Sequence, residues 1–224
     1  NKLLKENNIL YNPREILVSN GAKHSLYNVF QAILNPGDEV IILSPYWVSY
    51  PEMVKMAGGI PVFFDTLEKD NFNIDLDNLK KVISNKTKAI IINSPNNPCG
   101  CVYGKKELEA IAELALKYDF YIVSDEIYER LLYDGAEHIS IASLGAEVKN
   151  ITLLVNGLSK AYAMTGWRIG YTAGNQKIIE VMANVQSHST SNPNSIAQYA
   201  SLAALNGPED IVKDMVFQFN DRRL

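Results

Sequence analysis

With 224 residues, 47% of them apolar, and a formal net charge of −4, the chain has enough hydrophobic residues to bury one substantial core. The mild acidity gives no electrostatic drive toward nucleic acid or an anionic membrane, no apolar run is long enough to span a bilayer, and no signal peptide opens the chain. The only cysteines, Cys99 and Cys101, are one residue apart, a spacing that argues against a mutual disulfide and does not match a zinc knuckle. A reducing cytoplasm is therefore the expected setting. His24, His138 and His188 are too scattered along the chain to build a metal site, and none is expected.

In chain order, the short run Ile16-Leu17-Val18 is followed by Ser19-Asn20-Gly21-Ala22-Lys23, which opens a helix through about Leu34. Further runs rich in β-branched residues lie at Glu39–Leu43, Ile60–Phe64, Lys88–Asn93, Phe120–Ser124, Ile151–Val155 and Arg168–Ala173. Asn35-Pro36-Gly37-Asp38 and Ala57-Gly58-Gly59 read as turns. Lys105–Lys117 is amphipathic, with Leu108, Ile111, Ala112 and Ala115 on one face. Ile211, Met215, Val216 and Phe219 form a helical stripe near the end, with no stop signal after it, which predicts a helix cut by the chain terminus. Strands alternating with helices give an α/β fold, three layers in α/β/α order around a mostly parallel sheet. In such sheets ligands bind beyond the carboxyl ends of the strands.

Each polar motif falls just after one of these runs. The small residues of Ser19–Lys23 let backbone N–H groups approach a phosphate at the positive end of a helix, although the same residues suit an ordinary capped helix start. In Ser44-Pro45-Tyr46-Trp47, the indole either stacks on a planar heterocycle or packs in the core. Asn93–Gly100 is a turn stiffened by two prolines, with Asn97 able to present its amide at the strand tips. In Ser124-Asp125-Glu126-Ile127-Tyr128, Asp125 ends a buried strand, where a carboxylate is costly without a cationic partner. Tyr128 follows three residues later, free either to offer its hydroxyl or to pack. Asn156–Gly170 (Asn-Gly-Leu-Ser-Lys-Ala-Tyr-Ala-Met-Thr-Gly-Trp-Arg-Ile-Gly) places Lys160 after a small-residue turn and Arg168 eight residues on. A lysine that is to attack an aldehyde needs such an open approach.

Taken together and in this order, the five motifs resemble those of the class I/II pyridoxal-phosphate aminotransferases of fold type I, in particular the bacterial aspartate aminotransferase-like subgroup. The resemblance covers essentially the whole chain. It implies the large, cofactor-binding domain over residues 1–224 and pyridoxal 5'-phosphate as cofactor. Lys160 is implied as the residue bonded to the cofactor and as the proton carrier, Asp125 as partner of the ring nitrogen, and Asn97 and Tyr128 as partners of the ring's 3-oxygen. Trp47 is implied to stack on the ring. Gly21, Ala22, Lys23, Ser159 and Arg168 are implied to hold the phosphate, and Trp47 and Asn97 to border the substrate carboxylate. The implied reaction transfers an amino group between an amino acid and a 2-oxo acid. Aspartate with 2-oxoglutarate is the expected pair, and aromatic amino acids or prephenate are close alternatives. Lyases, decarboxylases and the sensing domains of some transcription regulators share the fold.

Three departures from the family pattern stand out. Cys99 occupies a position where many relatives have threonine. Gly157 occupies the place of a phosphate-binding serine three residues before the lysine, with Ser159 nearer to it. Family members run to roughly 400 residues, beyond one typical domain. None of the five arginines (Arg14, Arg130, Arg168, Arg222, Arg223) matches the family's C-terminal substrate-carboxylate arginine. The expectation is a chain lacking the N-terminal arm and the C-terminal small domain, inactive by itself, from a homodimeric parent in which the Gln186–Asn194 region approaches the partner.

Overall fold

A computed structural model describes all residues, 1–224. A short helix α1 (Lys2–Asn7) precedes β1 (Ile16–Ser19), α2 (Ala22–Ile33), β2 (Glu39–Ser44), α3 (Ser49–Met56), β3 (Ile60–Asp65), α4 (Leu76–Val82) and β4 (Thr87–Asn93). Then follow α5 (Lys105–Tyr118), β5 (Tyr121–Asp125), α6 (Ala146–Ile151), β6 (Thr152–Gly157), β7 (Gly170–Ala173), α7 (Gln176–Ser187), α8 (Ser195–Asn206) and α9 (Asp210–Arg223). One seven-stranded sheet takes the order β1-β7-β6-β5-β4-β2-β3.

Adjacent residues of each central strand point to opposite faces, so a near-continuous apolar run feeds two cores at once. Ile41, Leu43, Ile90, Ile92 and Ile122 pack on one side against Leu79 of α4, Leu108, Ile111 and Ala115 of α5, and Val148 of α6. Val40, Ile42, Ile91, Val123 and Val155 pack on the other against Leu26, Val29 and Phe30 of α2, Met53 and Val54 of α3, and Ile179 and Met182 of α7. The expected three layers follow from this alternation.

The strand expected at Arg168–Ala173 differs in extent and direction. It begins at Gly170, and β7 runs antiparallel to both of its neighbours, β1 and β6. Gly157 ends β6 opposite Gly170, and Ser19 ends β1 opposite the same glycine. A Cβ on Gly170 would lie 2.3 Å from the Ala22 nitrogen, so only glycine permits this approach of β7 to the start of α2. The connection 158–169 must therefore loop out at the same sheet edge where β1, β4 and β5 end.

The helix expected at the end of the chain is present as α9, and its apolar stripe is largely uncovered: Ile211 and Phe219 are exposed, and Val212 is the buried residue. A helical stripe becomes a core face only where another element covers it. The polar segment 186–194, expected between two helical stretches, begins inside α7, where Gln186 is buried. Its side-chain oxygen accepts from Ser19 Oγ at 2.8 Å and Asn28 Nδ2 at 3.0 Å, and its amide donates to the Val18 carbonyl at 2.9 Å. One glutamine thus ties α7, α2 and β1 together behind the site. Replacing it, Gln186→Ala, strands several buried polar groups and should lower unfolding stability by about 2–4 kcal/mol. Urea denaturation measures this, and a loss below about 1 kcal/mol would show that the network is not structural.

Candidate functional site

The sheet's carboxyl edge opens into a cavity of about 290 Å³, at the small end of ligand sites and suited to one compact heterocycle. Ala22, Lys23, Trp47, Asn97, Asp125, Tyr128, Ser159, Lys160 and Arg168 all line it. Of the ten residues singled out from the sequence, only Gly21 is not among the lining residues. It does touch Arg168: a Cβ at Gly21 would lie 2.5 Å from Arg168 Nη2, and the glycine holds φ +87°. The guanidinium therefore packs directly on the turn that starts α2.

Asp125 is 3% exposed at the end of β5. Tyr50 Oη donates to its Oδ2 at 2.7 Å, and the Ile127 N–H donates to Oδ1 at 3.3 Å. Burial still dominates and raises its pKa to about 6. The Tyr50 and Ile127 hydrogen bonds and the charge of Lys160 pull the other way, and Glu126 adds to the rise. Such a carboxylate has an unmet demand for a cation close by.

Around it the polar groups are ordered by their neighbours. Asn93 Nδ2 donates to the Asp125 carbonyl at 2.9 Å, and Asn93 Oδ1 accepts from the Asn97 N–H at 2.8 Å. Asn97 Nδ2 in turn points at the Tyr128 hydroxyl, 3.5 Å away. Lys160 Nζ lies over the Tyr128 ring, 5.5 Å from its centre, and Lys23 Nζ lies over the Trp47 ring at 4.8 Å. Arg168 adopts φ +55°, uncommon for a residue with a side chain, and its Nη1 donates to the Thr165 carbonyl at 2.7 Å. Three cations, Lys23, Lys160 and Arg168, thus face one carboxylate across the cavity.

That donor set fits a pyridoxal phosphate molecule. The cations and the amide end of α2 suit its phosphate, the amine suits its aldehyde, and the buried carboxylate suits a protonated ring nitrogen. At Gly157 a Cβ would sit 2.7 Å from the Ile169 carbonyl oxygen, so no serine fits there as the strands stand. The hydroxyl present at the cavity is that of Ser159, itself buried.

Sequence reasoning gave no role to Tyr50, Asn93 or Thr165, all of which line the cavity or brace a residue that does. Tyr50 follows Trp47 by three residues at the start of a helix, a spacing that places both on one side. Asn93 opens the quoted Asn-Ser-Pro-Asn-Asn-Pro motif, and its bracing of Asn97 depends on a turn only the fold shows. His138 meets Glu126 (3.1 Å, Nε2 to Oε2), and Glu129 lies alongside. Those carboxylates are already engaged: Glu126 accepts from Ser124 and Ser140, and Glu129 pairs with Lys2 and accepts from Asn7.

A family model described as "Aminotransferase class I and II" matches residues 1–223. The chain is 56% identical over 221 residues to an aspartate aminotransferase of Bacillus sp. (strain YM-2), covering 99% of this chain and 56% of that one. It is 54% identical over 208 residues to the aspartate/prephenate aminotransferase of Thermus thermophilus, covering 93% and 53%. The structure of Thermus thermophilus aspartate aminotransferase with maleate superposes with a TM-score of 0.91 at 51% identity, over 97% of this chain and 56% of that one. The chain spans about half the length of the curated relatives it matches.

Two outcomes follow for Asp125. Tyr50→Phe removes a donor that favours the carboxylate, so the Asp125 pKa should rise above about 6. Carbon-13 NMR of the carboxyl reads this directly, and an unchanged or lower value would contradict the role given to Tyr50. Because the folded pKa of about 6 exceeds the ordinary 3.8, the folded chain holds this proton more tightly than the unfolded one. The resulting stabilisation is complete below about pH 4 and is lost as pH rises through about 6, a total near 3 kcal/mol. Asp125→Asn removes this dependence, so without cofactor its stability should gain on the wild type by that amount between pH 4 and 7. Paired urea titrations that stay parallel across this range would refute it.

Proposed function

From the premise that this chain belongs to the class I and II aminotransferases, we propose that residues 1–224 form the cofactor-binding large domain of a pyridoxal 5'-phosphate-dependent aminotransferase. The strongest support is the convergence of Asp125, Lys160 and Arg168 on one small cavity although they are distant in sequence. When bound, the cofactor supplies an electrophilic aldehyde carbon and an electron-withdrawing ring.

The side chains divide the remaining work. Lys160 presents the amine, and its Nζ is the group placed to take up and return a proton at the reacting carbon. Asp125, ionised beside a cation, holds the proton on the ring nitrogen. Asn97 and Tyr128 present an amide and a hydroxyl toward the ring's oxygen, and Trp47 covers one face. Gly21, Ala22, Lys23, Ser159 and Arg168 bind the phosphate at the positive end of α2. Trp47 and Asn97 border the substrate carboxylate.

Aspartate and 2-oxoglutarate are the favoured substrates, because relatives above 50% identity are named for aspartate. Prephenate or an aromatic amino acid is the next choice, prephenate being in the name of the Thermus relative. Arg168 is the arginine at the cavity, and its contact with Gly21 supports a phosphate role, so residues 1–224 alone should bind cofactor but turn over little. No helix is long and apolar enough to cross a membrane, in keeping with a cytoplasmic enzyme. The full-length protein is expected to pair as a homodimer, and the exposed Ile196, Tyr199 and Leu202 of α8 offer apolar surface for such pairing.

Borohydride treatment of the chain loaded with pyridoxal phosphate should fix the label on Lys160, and Lys160→Ala should abolish it. Peptide mapping that finds label only on surface lysines would overturn the assignment. Arg168→Gln should weaken cofactor binding by roughly 1.5–3 kcal/mol, tenfold or more, measured by fluorescence titration. A panel of amino donors on the full-length protein then separates aspartate from aromatic substrates, and release of carbon dioxide or ammonia instead of amino transfer would favour a decarboxylase or lyase.

A further inference from the structure

The turn after β4 carries chemistry that amino transfer does not use. Cys99 and Cys101 are both free and half-buried, and their Sγ atoms lie 3.1 Å apart. Their spacing in sequence argued against a bond between them, but that expectation ignores the shape of the turn. Gly100, at φ +75°, reverses the backbone between the two residues. Asn96 N–H donates to the Cys101 carbonyl at 2.9 Å, and Gly100 N–H donates to the Asn96 carbonyl at 3.0 Å, so the turn closes on itself. A Cβ at Gly100 would meet nothing within 4 Å, so glycine serves the backbone conformation there and not a lack of space. The Asn96 side-chain oxygen accepts from the Cys99 N–H at 3.2 Å and lies 3.1 Å from the Cys99 Sγ, which fixes the position of that sulfur beside the Cys101 Sγ.

We propose that Cys99 and Cys101 are a redox-active dithiol, a modification site that small-molecule disulfides oxidise reversibly to an intramolecular disulfide.

In the first step one cysteine gives up its proton, and its sulfur attacks a sulfur of R–S–S–R. The disulfide bond breaks, a protein–S–S–R bond forms, and R–S⁻ leaves and takes up a proton. In the second step the other cysteine loses its proton and attacks the protein-side sulfur, expelling the second R–S⁻. Two S–H bonds are lost from the protein and one S–S bond is gained, while the external disulfide gains two electrons and leaves as two thiols. Burial and the neighbouring Cys99 push the Cys101 thiol up to about 12, which makes Cys99 the first nucleophile and Cys101 the resolving one. The short contact between the two sulfurs offsets the poor ionisation of Cys101 through proximity. The same turn holds Asn97 at the cavity, so the modified segment adjoins the proposed cofactor site without contributing its charged groups.

The chain has no other cysteine, so the test is unambiguous. Incubation with oxidised glutathione, alkylation of remaining thiols and mass spectrometry should show the titre falling from two thiols per chain to none. The mass should drop by two hydrogens with no glutathione retained, and dithiothreitol should restore both thiols. Cys101→Ser should instead keep one glutathione on Cys99, and Cys99→Ser should react about tenfold more slowly or less. A wild-type chain that keeps both thiols, retains glutathione, or forms covalent dimers would overturn the proposal.

Discussion

Asp125 holds a carboxylate at the tip of β5 where desolvation favours the neutral acid, and hydrogen bonds from Tyr50 and one backbone amide, with the charge of Lys160, offset only part of that cost. Burial of this kind is tolerated when the surrounding structure is firm enough to enforce it. Here the enforcement comes from both sides. The strand pairs in register with Asn93 of β4 and Val155 of β6, and the Glu126 N–H donates to the Val155 carbonyl just past the strand end. The backbone under the carboxylate is thus fixed at the centre of the sheet, and the Tyr50 and Ile127 hydrogen bonds orient the side chain.

The cations that answer this charge arrive by a different route. Lys160 and Arg168 belong to one connection, and the antiparallel run of β7 brings that connection back over the carboxyl edge. Had β7 run parallel, its start would lie at the opposite edge, and Arg168 with it. The glycines at 21, 157 and 170 allow the close approaches that this geometry needs, since a side chain at any of them would strike backbone or the guanidinium. Charge placement in the site is thus a consequence of strand direction.

Much of this was legible in the residues. The runs at 39–43, 60–64 and 88–93 match strands within one or two residues; β2 and β4 are buried on both faces and need continuous apolar sequence, whereas β3 lies at the sheet edge with Ile60 and Phe63 exposed. The helix at Lys105–Lys117 shows a clean buried face at Leu108, Ile111, Ala112 and Ala115. Less visible were residues whose importance lies in what they touch. Tyr50 looks like any helical tyrosine until Asp125 is placed 2.7 Å from its hydroxyl. Gln186 sits in a stretch of polar residues that suggests a loop, yet it is buried and satisfies the buried side chains of Ser19 and Asn28 and the Val18 carbonyl. The terminal helix was legible from its stripe, but not that Ile211 and Phe219 stay exposed while Val212 is buried.

The order of apolar runs and small-residue turns determined by itself the α/β class, the approximate elements and the set of polar side chains at the strand ends, because local periodicity and turn chemistry are written residue by residue. Only the tertiary structure decided the direction of β7, the bracing of Asp125 by Tyr50 and Asn93, and the contact of Cys99 with Cys101. Those depend on which strands pair and how turns fold back, and pairing is set by the packing of the whole sheet, which no short stretch of sequence encodes.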